Sequence, residues 1–359
     1  MTDREAYVAF NLTDQVGSAT VGRLVAEAGS AAAAWERYPK KVSRAGGEID
    51  VAREFELAES FGVKILVCTD DGYPDELKSA PGHPLVLYVK GDPKALSKPS
   101  IALVGTRRAT EYGLSMAYSF ARDLAGDGWG IVSGLAVGID AEAHRGALDA
   151  KGVTVGVLGS ALDRFYPAEN RSLARTIVAS GGAVVSEFPF GRTADQHTFP
   201  QRNHVVAALA RGVLAVEAPV KSGTLITASI AADLGRLVMA VPGRVDSRSS
   251  QGCLALIRDG ATLVRNALDV EQEMGQLFPR TRAPAEKGVK APPPEMPGAY
   301  TVEEAMVMRH ATVDGTSIDE IARKTGLPAA KTSSLCMVLR VKGRLRFLPG
   351  NRVALPRER

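Results

Sequence analysis

The sequence has no long apolar run. Nowhere do about 18 uncharged apolar residues follow one another, so we expect no transmembrane helix. The first residues, MTDREAYVAF, carry acidic side chains and no apolar core, which argues against a secretory signal. Cysteine is scarce, and Cys68, Cys253 and Cys336 stand in no metal-ligand spacing. These absences predict a cytoplasmic protein without a membrane segment, whose three thiols are reduced and mostly buried.

Sequence signatures of the common enzyme classes are missing as well. The chain contains no G-x-S-x-G, H-E-x-x-H or G-x-x-x-x-G-K-[ST] motif. The turn after the first strand of the central domain is not G-x-G-x-x-G, because Arg107 and Arg108 follow Thr106. Asp140 and His144 lie four apart on one predicted helix and could pair on a metal, but a helix N-terminal acid with a satisfied partner is the favoured explanation. We therefore predict no catalytic function, no cofactor and no metal.

Positive charge is concentrated near the end of the chain. The net charge is only +4, from 44 Lys and Arg against 40 Asp and Glu. Residues 301–359 carry 11 basic and 6 acidic side chains, whereas the first 300 residues carry 33 and 34. A nucleic-acid site in the main body must therefore be a local basic pocket and not a field spread over the surface.

Between residues 62 and 278, short apolar runs alternate with amphipathic helices. Strands are predicted at 101–104, 130–132, 153–158, 183–186, 213–216 and 237–241, with two earlier ones at 63–67 and 85–89. Helices such as 111–125 and 139–150 lie between them. Strands that are continuous apolar runs are buried on both faces. The pattern predicts an α/β domain with a doubly wound, mostly parallel, Rossmann-like sheet.

The regions on either side of this domain have different patterns. Residues 1–61 predict short helices, and Gly17 between two apolar helical segments suits either a helix-hairpin-helix module or an ordinary helical turn. Residues 279–298 are rich in Pro, Lys and Arg and predict a flexible linker. Residues 299–359 predict a winged helix-turn-helix: a helix that stops at Gly326, a second helix at 329–342, and a basic hairpin with a Pro-Gly-Asn turn.

Three loops of the central domain are suited to bind phosphate. They follow predicted strands, at 104–110, 133–140 and 217–227, and so meet at the carboxyl edge of a parallel sheet beside helix N-termini. Each has small residues that let backbone N–H groups approach an anion, and two contain a cation, Arg107 or Lys221. Tight strand-to-helix turns would explain any one of these loops, but three at one edge favour a phosphate-binding pocket.

A further segment, residues 195–204, opens a helix with an aromatic, an Arg and an Asn. Phe199 offers a face on which a base could stack, and Arg202 and Asn203 could hold a phosphate or a base edge. Core packing would explain Phe199 as well, and Arg202 and Asn203 could instead brace neighbouring loops. Both interpretations stay open on the sequence alone.

Seven short motifs, in chain order, resemble the DNA-processing protein A (Smf) family. They are VGTR at 104–107, SGLAVGIDAEAH at 133–144, YPAEN at 166–170, FPQRN at 199–203, VEA at 216–218, SGTLITA at 222–228 and AVPG at 240–243. The resemblance covers roughly residues 62–270, and the set is specific although no single motif is. The N-terminal region resembles that family's sterile-alpha-motif-like domain, and the C-terminal region resembles its winged-helix domain.

The resemblance implies a function as well as a fold. It implies a protein that binds single-stranded DNA, delivers it to RecA recombinase in natural transformation, catalyses no reaction and forms a homodimer through the Rossmann-like domain. Carried over by motif position, Arg107 and Lys221 clamp backbone phosphates. The other residues of the implied site supply loop contacts or flank the strand: Ser133, Gly134, Gly223 and Thr224, and Phe199, Arg202 and Asn203.

Two positions depart from the family pattern. His204 stands where the family usually has an Arg, so one cation of the motif becomes titratable. Leu254 stands where an Asn is customary. If that Asn fixes the position of a loop in the family, the geometry around Leu254 differs in this chain.

Two other functions are compatible with parts of the sequence. Nucleoside-monophosphate hydrolases of related fold use a P-G-G-x-G-T-x-x-E loop with a catalytic Glu, whereas the comparable segment here, 221–227, has a Lys and no Glu. A transcription regulator could sense a nucleotide with the Rossmann-like domain and read duplex DNA with the winged helix. The predicted second helix has Lys331, Arg340 and Lys342 but otherwise small or apolar residues, which supports base-specific readout only weakly.

Overall fold

The computed structural model describes residues 1–13, 16–38, 48–277, 302–312, 315–341, 344–348 and 352–355. The chain divides into two units, Met1–Arg280 and Thr281–Arg359. The predicted linker at 279–298 and the Pro-Gly-Asn turn at 349–351 lie outside the described residues. Within the described ranges, no helix is both long and apolar enough to cross a membrane.

The first unit opens with helices α1 (Asp3–Leu12), α2 (Ser18–Ala28), α3 (Ala31–Arg37) and α4 (Val51–Ser60). Thr2 caps α1: its hydroxyl accepts from the Glu5 N–H at 3.2 Å, and the Glu5 carboxylate accepts from the Thr2 N–H at 2.7 Å. The buried rings of Phe10 and Trp35 meet edge to face, with centroids 5.1 Å apart. These helices share one apolar core with the first strands of the sheet.

Gly17 lies directly before α2, between two helices as its sequence context predicted. Residues 14–15 of this turn lie outside the described part. The choice between a helix-hairpin-helix module and an ordinary turn therefore stays open, and the likeness to a sterile-alpha-motif domain remains a prediction.

The central sheet contains nine strands within the described residues, in the order β1-β2-β6-β5-β4-β3-β7-β8-β9. Their bounds are β1 (Lys64–Val67), β2 (Val86–Gly91), β3 (Ser100–Val104), β4 (Gly130–Ser133), β5 (Thr154–Val157), β6 (Ala183–Ser186), β7 (Gly212–Ala215), β8 (Leu237–Ala240) and β9 (Thr262–Leu263). Strands β3 to β9 pair in parallel, whereas β1 pairs antiparallel with β2, and β2 with β6. The predicted Rossmann-like sheet is confirmed, and both early strands extend it.

Helices cover the two faces of this sheet. They are α5 (Asp75–Lys78), α6 (Glu111–Gly126), α7 (Ile139–Asp149), α8 (Arg171–Ala179), α9 (Thr198–Ala208), α10 (Gly223–Asp233), α11 (Gln251–Arg258) and α12 (Ala267–Leu277). Every residue of β3 to β7 is buried, as the continuous apolar runs predicted. One apolar core, which includes Ile101, Phe120 and Trp129, joins β3 and β4 to α6 and α7. Cys68, Cys253 and Cys336 are buried and form no disulfide.

The strand order reverses at β3. Strands β4, β5 and β6 lie on one side of β3, and the chain then crosses to β7, which pairs with β3 on its other side. The connections after β3 and β7 therefore pass to opposite faces and open a crevice at the carboxyl edge of the sheet. Open α/β sheets bind their ligands at such a switch point.

The second unit is a winged helix. Its elements are α13 (Val302–His310), β10 (Thr316–Ser317), α14 (Ile318–Thr325), α15 (Ala329–Val341), β11 (Arg346–Leu348) and β12 (Arg352–Ala354). The strands pair antiparallel in the order β10-β12-β11 around a core that includes Ile321, Leu339 and Val353. Gly326 ends α14 with φ of 70°, a left-handed conformation that suits glycine. The two helices and the hairpin were predicted, whereas α13 and β10 were not.

Candidate nucleic-acid interface

A cavity of about 430 Å³ lies at the carboxyl edge of the sheet, between the loops that follow β3 and β7. Its walls also include the loop after β4, helix α9 and the start of α10. The lining residues are Val104, Gly105, Thr106, Arg107, Arg108, Gly134, Ala136, Asp140, Phe199, Arg202, Asn203, Val206, Pro219, Lys221, Ser222, Gly223, Thr224 and Thr227. We call this cavity the switch-point pocket. Of the nine residues predicted for the site, it contains all except Ser133.

Ser133 is the last residue of β4, and its side chain is fully buried. Its hydroxyl donates to the Leu103 carbonyl at 2.6 Å, which ties β4 to β3. A residue at the end of a strand can face either the ligand or the neighbouring strand, and sequence spacing did not distinguish the two. Ser133 supports the pocket floor and does not line the pocket.

Arg107 and Lys221 are the exposed cations that the loop pattern predicted. Neither forms an ion pair with any residue that the structure describes. The Arg107 guanidinium lies over the half-buried ring of Phe199, 4.8 Å from its centroid. An unneutralised guanidinium and ammonium beside an aromatic face can hold a phosphate and a base together.

Arg202 has a different environment, because it is buried and used internally. Its Nη1 donates to the Val157 carbonyl at 2.8 Å and to the carbonyl of Gly134. Burial lowers the pKa of Arg202, Asp140 opposes that change, and Arg107 adds to it. Burial also raises the pKa of Asp140, which Arg202 counteracts. Arg202 therefore braces the loop after β4 and compensates the charge of the buried Asp140 carboxyl. This agrees with the interpretation in which Arg202 braces neighbouring loops.

Asn203 and Gly134 set the spacing of the elements around the pocket. The Asn203 side-chain amide donates to the Gly223 carbonyl at 3.4 Å and links α9 to the start of α10. At Gly134, a Cβ would collide with the Arg202 guanidinium. The glycine of this loop is thus required by packing, whatever it contributes to an anion.

Ser222 was missed by the sequence argument and lines the pocket. It precedes the first residue of α10, where a serine hydroxyl usually accepts from a helix N–H, but no such bond is present here. Its Oγ is buried and has no hydrogen-bond partner among the described residues. This hydroxyl is free to bond to a ligand oxygen. The sequence signal that could have identified Ser222 is a serine directly before a helix that begins with Gly-Thr.

A smaller cavity of about 140 Å³ adjoins the pocket and shares Arg107 and Phe199 with it. Tyr166 lines this second cavity, its ring centroid 6.1 Å from that of Phe199. The sequence placed Tyr166 in a family motif without giving it a role. Its exposed position beside Phe199 could not be foreseen from spacing.

Two buried carboxyl groups at the pocket loops, Asp140 and Glu217, already have partners. Asp140 is the lining carboxyl, and the Ala136 N–H donates to it at 3.3 Å. Glu217 is buried and accepts from both the N–H and the hydroxyl of Thr110, each at 2.8 Å. His144 bonds through Nδ1 to Thr154 at 2.7 Å, and burial, with Arg202, lowers its pKa to about 3. Asp140 and His144 thus have separate partners.

The two departures from the family pattern lie away from the pocket lining. His204 bonds through Nε2 to the Pro81 carbonyl at 2.9 Å, and burial lowers its pKa, so it is mostly neutral at pH 7. Leu254 is half-buried in α11, whose neighbouring Gly252 N–H donates to the Ala218 carbonyl at 2.7 Å. That bond holds α11 close to the loop after β7.

Comparison with known proteins identifies the family. A family model described as DNA recombination-mediator protein A matches residues 64–275, more than half of the chain. The chain belongs to the DNA recombination-mediator protein A family. The DprA winged helix domain model matches residues 289–351. The predicted resemblance to the DNA-processing protein A (Smf) family is confirmed.

Individual relatives of this family are similar over much of the chain. Protein Smf of Escherichia coli (strain K12) is 33% identical over 301 residues, which are 82% of this chain and 78% of that protein. The DNA processing protein DprA of Bacillus subtilis (strain 168) is 38% identical over 214 residues, 59% of this chain and 72% of that protein.

Two solved structures of the same family share the fold. DNA processing protein A from Streptococcus pneumoniae superposes with a TM-score of 0.63 and 33% identity, over 76% of this chain and 98% of that one. DNA processing protein A from Helicobacter pylori superposes with a TM-score of 0.53 and 28% identity, over 60% of this chain and 96% of that one. The Helicobacter protein is described as having a single-stranded DNA binding mode.

Proposed function

We propose that this protein binds single-stranded DNA in the switch-point pocket. The observation that carries the proposal is the pair of exposed cations, Arg107 and Lys221, which have no ion-pair partner among the described residues and line the same crevice as the ring of Phe199. Backbone phosphates supply the opposite charge, and stacked bases suit an aromatic face. The single-stranded DNA binding described for the Helicobacter pylori relative supports the same ligand.

Nine residues of the pocket lining have a role in this proposal. Arg107 and Lys221 bind phosphates, Phe199 stacks on a base, and the start of α10, at Gly223 and Thr224, supplies backbone contacts. Gly134, Arg202 and Asn203 hold the pocket walls at their spacing. Ser222 adds a hydroxyl that can bond to phosphate.

The proposal extends to the cellular role that the family resemblance implies. In that role the protein acts in the cytoplasm and forms a homodimer through its Rossmann-like domain. It delivers single-stranded DNA to RecA recombinase during natural transformation and catalyses no reaction. Family membership supports this part of the proposal. Its test is the rate of RecA filament formation on single strands coated with a single-strand-binding protein, with and without this protein.

The alternative functions have less support from the residues of the site. A hydrolase needs a carboxyl in its pocket that is free to activate water, whereas Asp140, the carboxyl that lines the switch-point pocket, is buried and already hydrogen-bonded. A duplex-reading regulator needs polar side chains on α15, whereas Met337 and Val338 are exposed in its second half.

The deciding experiment is fluorescence anisotropy with labelled oligo-dT and a matched duplex over a salt series. We expect a strong preference for the single strand and an affinity that falls linearly on a log–log scale as salt rises. Equal or duplex-favouring binding would redirect attention to the winged helix. No binding of either DNA, with turnover of a nucleoside monophosphate, would reopen the hydrolase alternative.

A further inference from the structure

Five side chains lie between the switch-point pocket and the first residue of α8, in two contacting groups that are joined through the peptide bond between Phe165 and Tyr166. The Arg107 guanidinium lies 4.8 Å from the centroid of the Phe199 ring, and that centroid lies 6.1 Å from the centroid of Tyr166. Phe165 directly precedes Tyr166, and the Arg171 guanidinium lies 6.0 Å from the Phe165 centroid. We call these five side chains the aromatic row.

The aromatic row is accessible to a ligand along its length. Tyr166 is 47% exposed, and Arg171 is exposed without an ion-pair partner among the described residues. Phe165 and Phe199 are half-buried, so each shows part of its ring while the rest is held by packing. Rings fixed in this way can receive a base without losing much conformational entropy.

The cavity within the row combines a carboxylate with two cations. Its volume is about 140 Å³, and Glu169 lines it together with Tyr166, Phe199, Arg107 and Arg202. A carboxylate repels a phosphate but accepts a hydrogen bond from an N–H group of a base, the ring N3–H of thymine included. Phosphates are instead attracted to the two ends of the row, where Arg107 and Arg171 lie.

We propose that the aromatic row is a second contact surface, on which bases of single-stranded DNA stack as the strand leaves the switch-point pocket. Arg171 then binds a backbone phosphate at the far end, where the N-terminus of α8 adds positive potential. The row accepts any sequence, because every base has a π-face. This proposal rests on the proposed function, since the same strand occupies the pocket and the row.

The test compares full-length variants by competition anisotropy with oligo-dT of about 4 and about 12 nucleotides, the range of site sizes in stacking proteins. Tyr166→Ala should weaken binding of the longer strand by at least about fivefold, because one base no longer stacks, and Tyr166→Phe should restore it. Arg171→Ala should weaken the longer strand more than the shorter one. Arg175→Ala is its matched control, since Arg175 is exposed one turn later in α8.

The outcomes separate this proposal from the one on which it rests. If Arg107→Ala and Lys221→Ala bind normally, the proposed function fails and the row fails with it. If those two lose binding while Tyr166→Ala and Arg171→Ala bind the longer strand like wild type, the pocket stands and the row is wrong. Equal losses in Arg171→Ala and Arg175→Ala would mean that only bulk charge acts, which also overturns the row.

Discussion

At the scale of single residues, three of the four cations that line the pocket, Arg107, Arg202 and Lys221, differ in their surroundings. Arg107 and Lys221 are exposed and have no carboxylate partner in the described part of the chain, whereas Arg202 is buried and hydrogen-bonded to backbone carbonyls. The exposed cations are therefore available to a ligand. The buried one is already committed to the fold, so substitutions at the two kinds of position should have different effects.

Substitution of either exposed cation should weaken single-strand binding and leave stability unchanged. We expect Arg107→Ala or Lys221→Ala to lower affinity at least about tenfold and to reduce the salt slope by about 0.7 for each phosphate that is no longer neutralised. Anisotropy over a salt series measures both effects. Lys94→Ala is the control, because Lys94 is exposed and precedes the start of β3, whereas the pocket lies beyond the end of that strand. An unchanged salt slope in both pocket variants would be inconsistent with phosphate binding by these side chains.

Substitution of Arg202 should instead destabilise the fold. Arg202→Leu leaves Asp140 as a buried carboxyl without its cation and leaves two carbonyls without a donor. We expect the free energy of unfolding to fall by about 3–5 kcal/mol. Urea unfolding measures this, with Arg107→Ala as the comparison, expected within about 0.5 kcal/mol of wild type. A variant with normal stability and poor DNA affinity would show that Arg202 acts on the ligand directly.

Burial of His144 should make stability depend on acidity. Its pKa is lowered to about 3 in the folded protein, whereas an unfolded histidine titrates near about 6.5. The unfolded state thus gains a proton that the folded state excludes. His144 therefore lowers the free energy of unfolding as the pH falls from about 6.5 toward 3, by up to about 1.4 kcal/mol per pH unit. Urea unfolding between about pH 7 and 4 should give a shallower slope for His144→Gln; parallel slopes would contradict this.

At the scale of elements, one buried carboxyl group connects the two loops that form the pocket. Glu217 follows β7, and its carboxylate accepts two hydrogen bonds from Thr110, the residue before α6. Glu217 does not line the pocket itself. It nevertheless fixes the distance between the Arg107 loop and the loop that carries Lys221.

Loss of this connection should reduce both stability and DNA affinity. We expect Glu217→Ala to lower the free energy of unfolding by about 1.5–3 kcal/mol per charged hydrogen bond removed. Glu217→Gln keeps one acceptor oxygen and should lose less. Urea unfolding and anisotropy together test the point. Normal binding by a destabilised Glu217→Ala variant would mean that the pocket loops hold their spacing without this carboxyl group.

The elements show how far the sequence could predict this fold. The strands at 101–104 and 183–186 were predicted because β3 and β6 are uninterrupted apolar runs, and the pocket was predicted because parallel strands end at one edge. Helix α13 was missed, because most of its apolar residues, at 305–308, follow one another directly and give no helical period. Strand β10 has two residues and gives no alternation to detect.

The pocket residues show a different limit. Loop chemistry predicted that Arg107 and Lys221 lie at one edge of the sheet, and both line the pocket, but the direction of the Ser133 side chain and the burial of Arg202 depend on tertiary packing. The sequence left core packing and base stacking open for Phe199; its ring is half-buried under Arg107, and base stacking stays a prediction. Such side chains are decided by neighbours that are distant along the chain.

At the scale of the whole molecule, the proposed DNA site belongs to the first unit alone. All lining residues of the pocket lie between Val104 and Thr227. The match to the relative from Streptococcus pneumoniae covers 98% of that chain but only 76% of this one. A shorter chain of this family therefore has a defined fold.

Deletion of residues 299–359 should therefore leave a folded protein that still binds single strands. The truncation removes five net positive charges, so a moderate loss of affinity at low salt is expected, with the preference for single strands retained. Circular dichroism and anisotropy with oligo-dT and duplex measure the two properties. Complete loss of single-strand binding in a folded truncation would place the site on the winged helix.

The positions of the two tryptophans have a consequence for spectroscopy. Trp35 is buried against Phe10 in the N-terminal helices, and Trp129 is buried in the core between the sheet and α6. The chain has no other tryptophan, so none lies in residues 281–359 or in the pocket lining. Intrinsic tryptophan emission will report the melting of the first unit from two separate places. It will not detect unfolding confined to the winged helix, and occupation of the pocket needs an extrinsic label.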